Sequence, residues 1–201
     1  ALLPMDAQLR KEDDAYAGAR ARLGPVYAKA LVEKAGGLLS PDANSTLRIT
    51  YGTVKGVSPR DGLFYQPQTT IHGVLEKYKA GDEEFDVPEK LRTAIAAQLA
   101  RKDGPFVDPK LGTVPVDFLS SVDTTGGNSG SAVLNGRGEF VGLLFDGTYE
   151  TIASDFIYDQ QATRSIQVDS RYLFWVMKEF SGADHLLKEM GVSTDAQLGV
   201  R

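Results

Sequence analysis

Ser129 lies in the stretch TTGGNSGSAVLN, residues Thr124 to Asn135, with glycines at 126, 127 and 130. A hydroxyl set among successive glycine N–H groups has the ingredients of acyl transfer. The loop can cradle a developing oxyanion while the hydroxyl attacks the same carbonyl carbon. The spacing excludes two other uses. No Gly-Lys-Ser/Thr follows, so this is not a phosphate-binding P-loop. Gly127 and Gly130 do not frame Ser129 as Gly-x-Ser-x-Gly, so it is not a strand-to-helix nucleophile elbow. On the loop alone, a plain glycine-rich turn between two strands and a nucleophile loop stand about even.

A serine nucleophile needs a base and an orienting acid. The chain has two histidines. His185, in ADHLLKEM, reads as a surface residue of a short amphipathic helix. His72, in TTIHGVL, precedes Ser129 by 57 residues. The sequence therefore supplies no evident base.

The elements that must position Ser129 follow from periodicity. SAVLN and EFVGLLFDG are apolar strands around the turn Gly136-Arg137-Gly138, a hairpin running straight out of the serine loop. TLRITYGTV, from Thr46, alternates as a half-buried strand does, and TTIHGVLEKY, GTVPVDFLSSV and RSIQVD read as further strands. SPRDG is a turn. Residues 2 to 35 read as helix, broken in two at Gly24-Pro25. DVPEKLRTAIAAQLA is a helix with Pro88 in its first turn. SRYLFWVMKEF is a helix capped by Asp169 or Ser170. The centre is β and the ends are helical.

Bulk properties narrow the partners. A net charge of -5 over 201 residues argues against nucleic acid. No apolar run is long enough to span a bilayer. There is no cysteine, hence no disulfide, thiolate metal site or cysteine nucleophile. No metal or other cofactor is expected.

The layout of GNSGSAVLNGRGEFVGLLFDG resembles the nucleophile segment of trypsin-like serine peptidases. That resemblance implies Ser129 as nucleophile and the N–H groups of Gly127 and Ser129 as the oxyanion hole. Asn128 stands where trypsin carries an aspartate, so activation by a new N-terminal ammonium is not expected. Glutamyl endopeptidases share the loop but carry a histidine on the following strand, which is absent from EFVGLLFDGTYE. The chain is more similar to the bacterial dipeptidyl-peptidase 7 and 11 family. The similar segments are PDANSTLRITYGTVKG, SPRDG, GVLEKY, FDVPEKL, VPVDFLSSVDTTGGNSGSAVLNGRGEFVGLLFDG and RSIQVDSRYLFWVM, in order. One departure is Ala132, where the family usually has proline.

The resemblance implies a mainly β fold with flanking helices: the C-terminal half of a trypsin-like double β-barrel plus part of a helical domain. Residues 1–40 would end the helical cap, and 41–201 would form the C-terminal barrel with its terminal helices. It implies a periplasmic serine exopeptidase that releases dipeptides from free N-termini of oligopeptides. Asp146 would anchor the substrate's α-ammonium. Two extended residues span roughly 7 Å, so the anchor must lie about that far from Ser129. Gly147, where acid-specific members carry arginine, implies an open, uncharged pocket and an apolar or aromatic second residue. Asp123, six residues before Ser129, keeps a basic preference in view. The family's histidine and aspartate lie upstream of the matching segments. The chain is thus expected to be a C-terminal portion, inert alone, with the N-terminal part of the same protein and a second copy of the full-length chain as partners. The other readings are a glutamyl-type endopeptidase and a catalytically silent peptide-binding module of the same fold.

Overall fold

The computed structural model describes residues 2–37, 46–155 and 157–194. It divides into two compact units, Ala1–Arg48 and Ile49–Arg201. The expected boundary at 40/41 falls outside the described residues.

Among the described residues, the first unit holds one helix, α1 (Leu2–Lys34), which runs through Pro25 without a break. Proline removes one hydrogen bond and costs about 3 kcal/mol in a helix interior. The long flanks of alanine, leucine, arginine and lysine keep the helix going. Met5, Leu9, Tyr16, Leu23 and Tyr27 recur at steps of four and seven and so share one face of the helix; they and Val26 are all exposed.

The second unit holds two antiparallel sheets. β1 (Val57–Arg60) and β2 (Leu63–Tyr65) form a small hairpin around Asp61-Gly62. Gly62 has φ +74°, which the tight turn requires. The main sheet has β3 (Gln68–Thr70), β4 (Pro115–Ser120), β5 (Ala132–Leu134), β6 (Phe140–Gly147) and β7 (Ser165–Asp169). Their order is β3-β4-β7-β6-β5. Thus β6, which follows the serine loop, lies between β5 and β7.

Two expected strands fold otherwise. In TTIHGVLEKY, only the start is β3; α2 (Ile71–Glu76) follows at once. Ile71, Val74 and Leu75 pack together into the core, so helical spacing overrides the β-branched start. TLRITYGTV forms no regular strand. It meets β4 and the residue after it through a bridge at Val54–Ser120 and the flanking bonds Lys55 N–H to Leu119 O (3.0 Å), Ser121 N–H to Thr53 O (3.0 Å) and Thr53 N–H to Ser121 Oγ (3.1 Å). Leu47, Ile49 and Tyr51 are exposed. Alternation alone does not make a strand without a neighbour to pair with.

The core gathers Ile71, Ile95, Phe106, Val107, Val114 and Trp175. Ile95 comes from α3 (Glu89–Arg101), for which Pro88 is the N-cap residue rather than part of the first turn. Trp175 ends α4 (Ser170–Trp175), and its indole N–H donates to Gln98 Oε1 at 3.0 Å. A wider π-helical turn (Val176–Phe180) and α5 (Asp184–Glu189) follow.

Asp169 caps α4, accepting from Arg171 N–H at 2.9 Å. It also holds the Arg171 guanidinium with both oxygens, at 2.9 and 2.7 Å. A third bond ties Arg171 to Asp108. Burial pushes the Asp108 carboxyl up, but bonds from Arg171 and from the Leu111 and Lys110 N–H groups outweigh it and hold it below its ordinary range.

Candidate active site

The serine loop is built on two left-handed glycines. Gly127 has φ +99° and Gly130 has φ +85°, conformations that side chains other than glycine's rarely adopt. Between them, Asn128 Oδ1 accepts from Thr125 N–H (3.1 Å), and Asn128 N–H donates to Thr125 O (3.2 Å). Asn128 therefore pins the loop to its own base. Among the described residues, the N–H groups of Gly127 and Ser129 donate to no protein acceptor. Both residues are exposed.

The loop then docks onto β6. Gly130 N–H donates to Leu144 O (2.7 Å), and Leu144 N–H donates to Ser131 O (3.0 Å). This pairing aligns Ser129 with the next residue, and the Ser129 hydroxyl donates to Phe145 O at 3.3 Å. Asp146 follows directly. Its Oδ1 accepts from Gly147 N–H at 2.8 Å, which fixes the carboxylate against the strand end. A register shift between Leu144 and Asp146 opposite β7 turns the strand where the acid emerges.

Ser129, Asp146 and Gly147 line one cavity of about 330 Å³. Thr124, Thr125 and Gly126 form one side; Thr148, Thr151, Ile152 and Ser154 complete the wall. The last four belong to or adjoin a 3₁₀ segment, Tyr149–Asp155, that periodicity does not reveal. The only trace in the sequence is Thr148 and Thr151, three apart and so on one side of a tight helix. No lysine or arginine lines the cavity among the described residues.

Other expected positions fall outside it. Asp123 is exposed and absent from the lining, while its neighbour Thr124 is buried with its hydroxyl bonded to that of Ser165. His72 is exposed on α2 and His185 on α5; neither lines the cavity. The space a side chain would enter at Gly147 is filled: an added Cβ would lie 2.8 Å from Thr151 Cγ2.

The profile of the family described as Peptidase S46 matches residues 1–192. The chain belongs to the peptidase S46 family. Its S46 relatives include an Asp/Glu-specific dipeptidyl-peptidase of Capnocytophaga gingivalis, 46% identical over 166 residues, 82% of this chain and 23% of the relative. Dipeptidyl-peptidase 7 of the same organism is 48% identical over 160 residues, 77% of this chain and 22% of the relative. The crystal structure of Porphyromonas endodontalis DPP11 in complex with substrate superposes with a TM-score of 0.83 at 37% identity, over 92% of this chain and 27% of that one. The chain thus spans about a quarter of the length of these S46 proteins. Among the described residues, no helix is long and apolar enough to cross a membrane, and no cluster of three His, Asp or Glu side chains could hold a metal ion.

Proposed function

We propose that this chain is the nucleophile-bearing portion of a serine dipeptidyl-peptidase. The observation that carries the reading is the convergence of Ser129 and Asp146 on one cavity, joined by the Ser129–Phe145 hydrogen bond. An extended substrate places its second carbonyl at Ser129 and its free ammonium near Asp146. Ser129 Oγ adds to that carbonyl, its proton passing to a base. The oxyanion accepts hydrogen bonds from the Gly127 and Ser129 N–H groups. Collapse expels the remaining peptide as an amine, which takes up a proton, and water then releases the dipeptide from the acyl-enzyme. Asp146 favours substrates with a free amine, because a blocked N-terminus leaves its charge unpaired.

The base and its orienting acid come from outside these residues, in a complete barrel pair of which the five-stranded sheet supplies one half. The absence of histidine from the cavity lining supports this, as does the share of its relatives that the chain covers. Residues 1–40 are the end of a helical cap domain, and the periplasm is the compartment. The complete protein pairs with a second copy of itself.

For the second residue, the cavity favours an apolar side chain. An acidic one would find no cation in the lining and would meet the charge of Asp146. The names of the relatives point both ways, one Asp/Glu-specific and one a dipeptidyl-peptidase 7. The test is hydrolysis by the full-length protein of fluorogenic dipeptides with Phe, Leu, Lys or Glu at the second position, free and N-acetylated. Cleavage of free apolar dipeptides alone is expected. Preference for Glu overturns the specificity, and equal cleavage of acetylated substrates overturns the exopeptidase reading.

A further inference from the structure

We propose that Thr151 sets the size of the pocket for the substrate's second residue, acting as a matched pair with Gly147. The inference rests on the dipeptidyl-peptidase reading and adds a residue to it. Both residues line the cavity. A Cβ at Gly147 would lie 2.8 Å from Thr151 Cγ2, 2.9 Å from its Cβ and 3.2 Å from its Oγ1. Real Cβ atoms do not come within 3.0 Å of such neighbours. The bareness of Gly147 therefore does not open a deep space; the threonine already occupies it.

Thr151 cannot simply rotate away. Its hydroxyl donates to Arg164 O at 2.8 Å and accepts from Arg164 N–H at 3.2 Å. Thr151 N–H donates to Thr148 O (2.8 Å), and Thr148 N–H donates to the same Arg164 carbonyl (2.9 Å). Arg164 is itself 1% exposed. Its guanidinium donates to the carbonyls of Gly56 (3.1 Å), Gln160 (3.0 Å) and Gln161 (3.1 Å). The hydroxyl thus anchors Thr151 to the entry of β7, and the methyl is left as the part that trims the cavity. The two halves of one side chain have separable jobs.

The experiment uses the full-length protein with dipeptidyl substrates carrying Phe or Ala at the second position. Thr151→Ser keeps the hydroxyl and deletes the methyl. Its Phe-over-Ala ratio of kcat/KM should rise roughly ten-fold, the low end of what one methyl group is worth in an apolar pocket. Thr151→Val keeps the shape and loses the hydroxyl. Its ratio should stay near the parent's while its melting temperature falls. An unchanged ratio in Thr151→Ser, or an equal change in both variants, overturns the inference and leaves the peptidase reading standing. A parent protein that releases no dipeptide at all overturns the reading beneath it.

Discussion

The Ser129 hydroxyl donates to the carbonyl of Phe145 at 3.3 Å, one residue before Asp146. That one bond ties the position of the proposed nucleophile to the position of the proposed anchor. In the proposed attack, the hydroxyl would leave Phe145 O for a base, and the bond lost is a long, exposed one of small net worth. Ser129→Ala should therefore leave the melting temperature of the full-length peptidase unchanged. Its kcat should fall by about 10⁶-fold, the scale seen when a triad serine is removed. Residual turnover within about ten-fold of the parent would show that Ser129 is not the nucleophile.

The anchoring role proposed for Asp146 can be tested apart from that of Ser129. Asp146→Asn keeps an oxygen to accept from Gly147 N–H but removes the charge. Asp146 is exposed in this chain, and an exposed charge pair is worth roughly 0.2–1 kcal/mol, a loss of no more than about five-fold in affinity. The expected result is a raised KM for free dipeptidyl substrates and little change for N-acetylated ones. Steady-state kinetics on matched pairs checks it; an equal loss on both would assign Asp146 a purely structural part.

Much of this site can be read from the chain because its elements are local. The hairpin after Ser129 is contiguous in sequence, so β5, β6 and the serine loop follow from alternation and glycine placement. The cap at Asp169 follows likewise. What does not follow comes from pairing across distance. TLRITYGTV alternates as well as β4 does, yet it meets β4 in a single bridge at Val54 and forms no regular strand. Ile71 continues a β-branched run but turns helical because Val74 and Leu75 share its core. Thr151 is invisible as a pocket residue, since its role depends on a 3₁₀ turn folding back on Gly147 and on Arg164, thirteen residues on.

The close approach at Gly147 has a measurable cost. Gly147→Ala forces a Cβ against Thr151, and overpacking of this kind destabilises by about 1–3 kcal/mol. Thr151→Gly removes every atom in the way, although it also gives up the Arg164 bonds. The double variant should thus be more stable than the sum of the single losses predicts, with a coupling of about 0.5–3 kcal/mol in urea unfolding. Strict additivity would mean that the loop simply moves aside.

Asp117 should behave in the opposite sense to a paired carboxylate. Burial raises its pKa above the ordinary 3.8, Lys77 and Thr69 oppose the rise, and the charge of Asp169 adds to it. A carboxyl raised on folding favours the native state while protonated, and that advantage is lost as pH climbs from 3.8 through the folded value. Asp117→Asn removes the buried charge while keeping the shape. It should stabilise the protein at pH 7 and make little difference at pH 3, as read from urea midpoints at the two pH values. A loss of stability at pH 7 would mean that attraction to Lys77 outweighs burial.

The ion cluster at Arg171 gives the acid side of the profile. Asp108 has its carboxyl held below 3.8, so its contribution is fully present above 3.8 and is lost as pH falls through the folded value. Arg171 is 8% exposed, and its removal strands Asp169 and Asp108 with charges buried and unpaired. Arg171→Met should cost about 3–5 kcal/mol at neutral pH. As pH falls below 3.8 and through the folded value of Asp108, that carboxyl becomes neutral, so the deficit should shrink and the acid limb of the stability curve should flatten. The same deficit at pH 7 and pH 3 would mean that Arg171 acts by packing its side chain, not by pairing its charge. Equilibrium unfolding of the parent and variant across that range checks it.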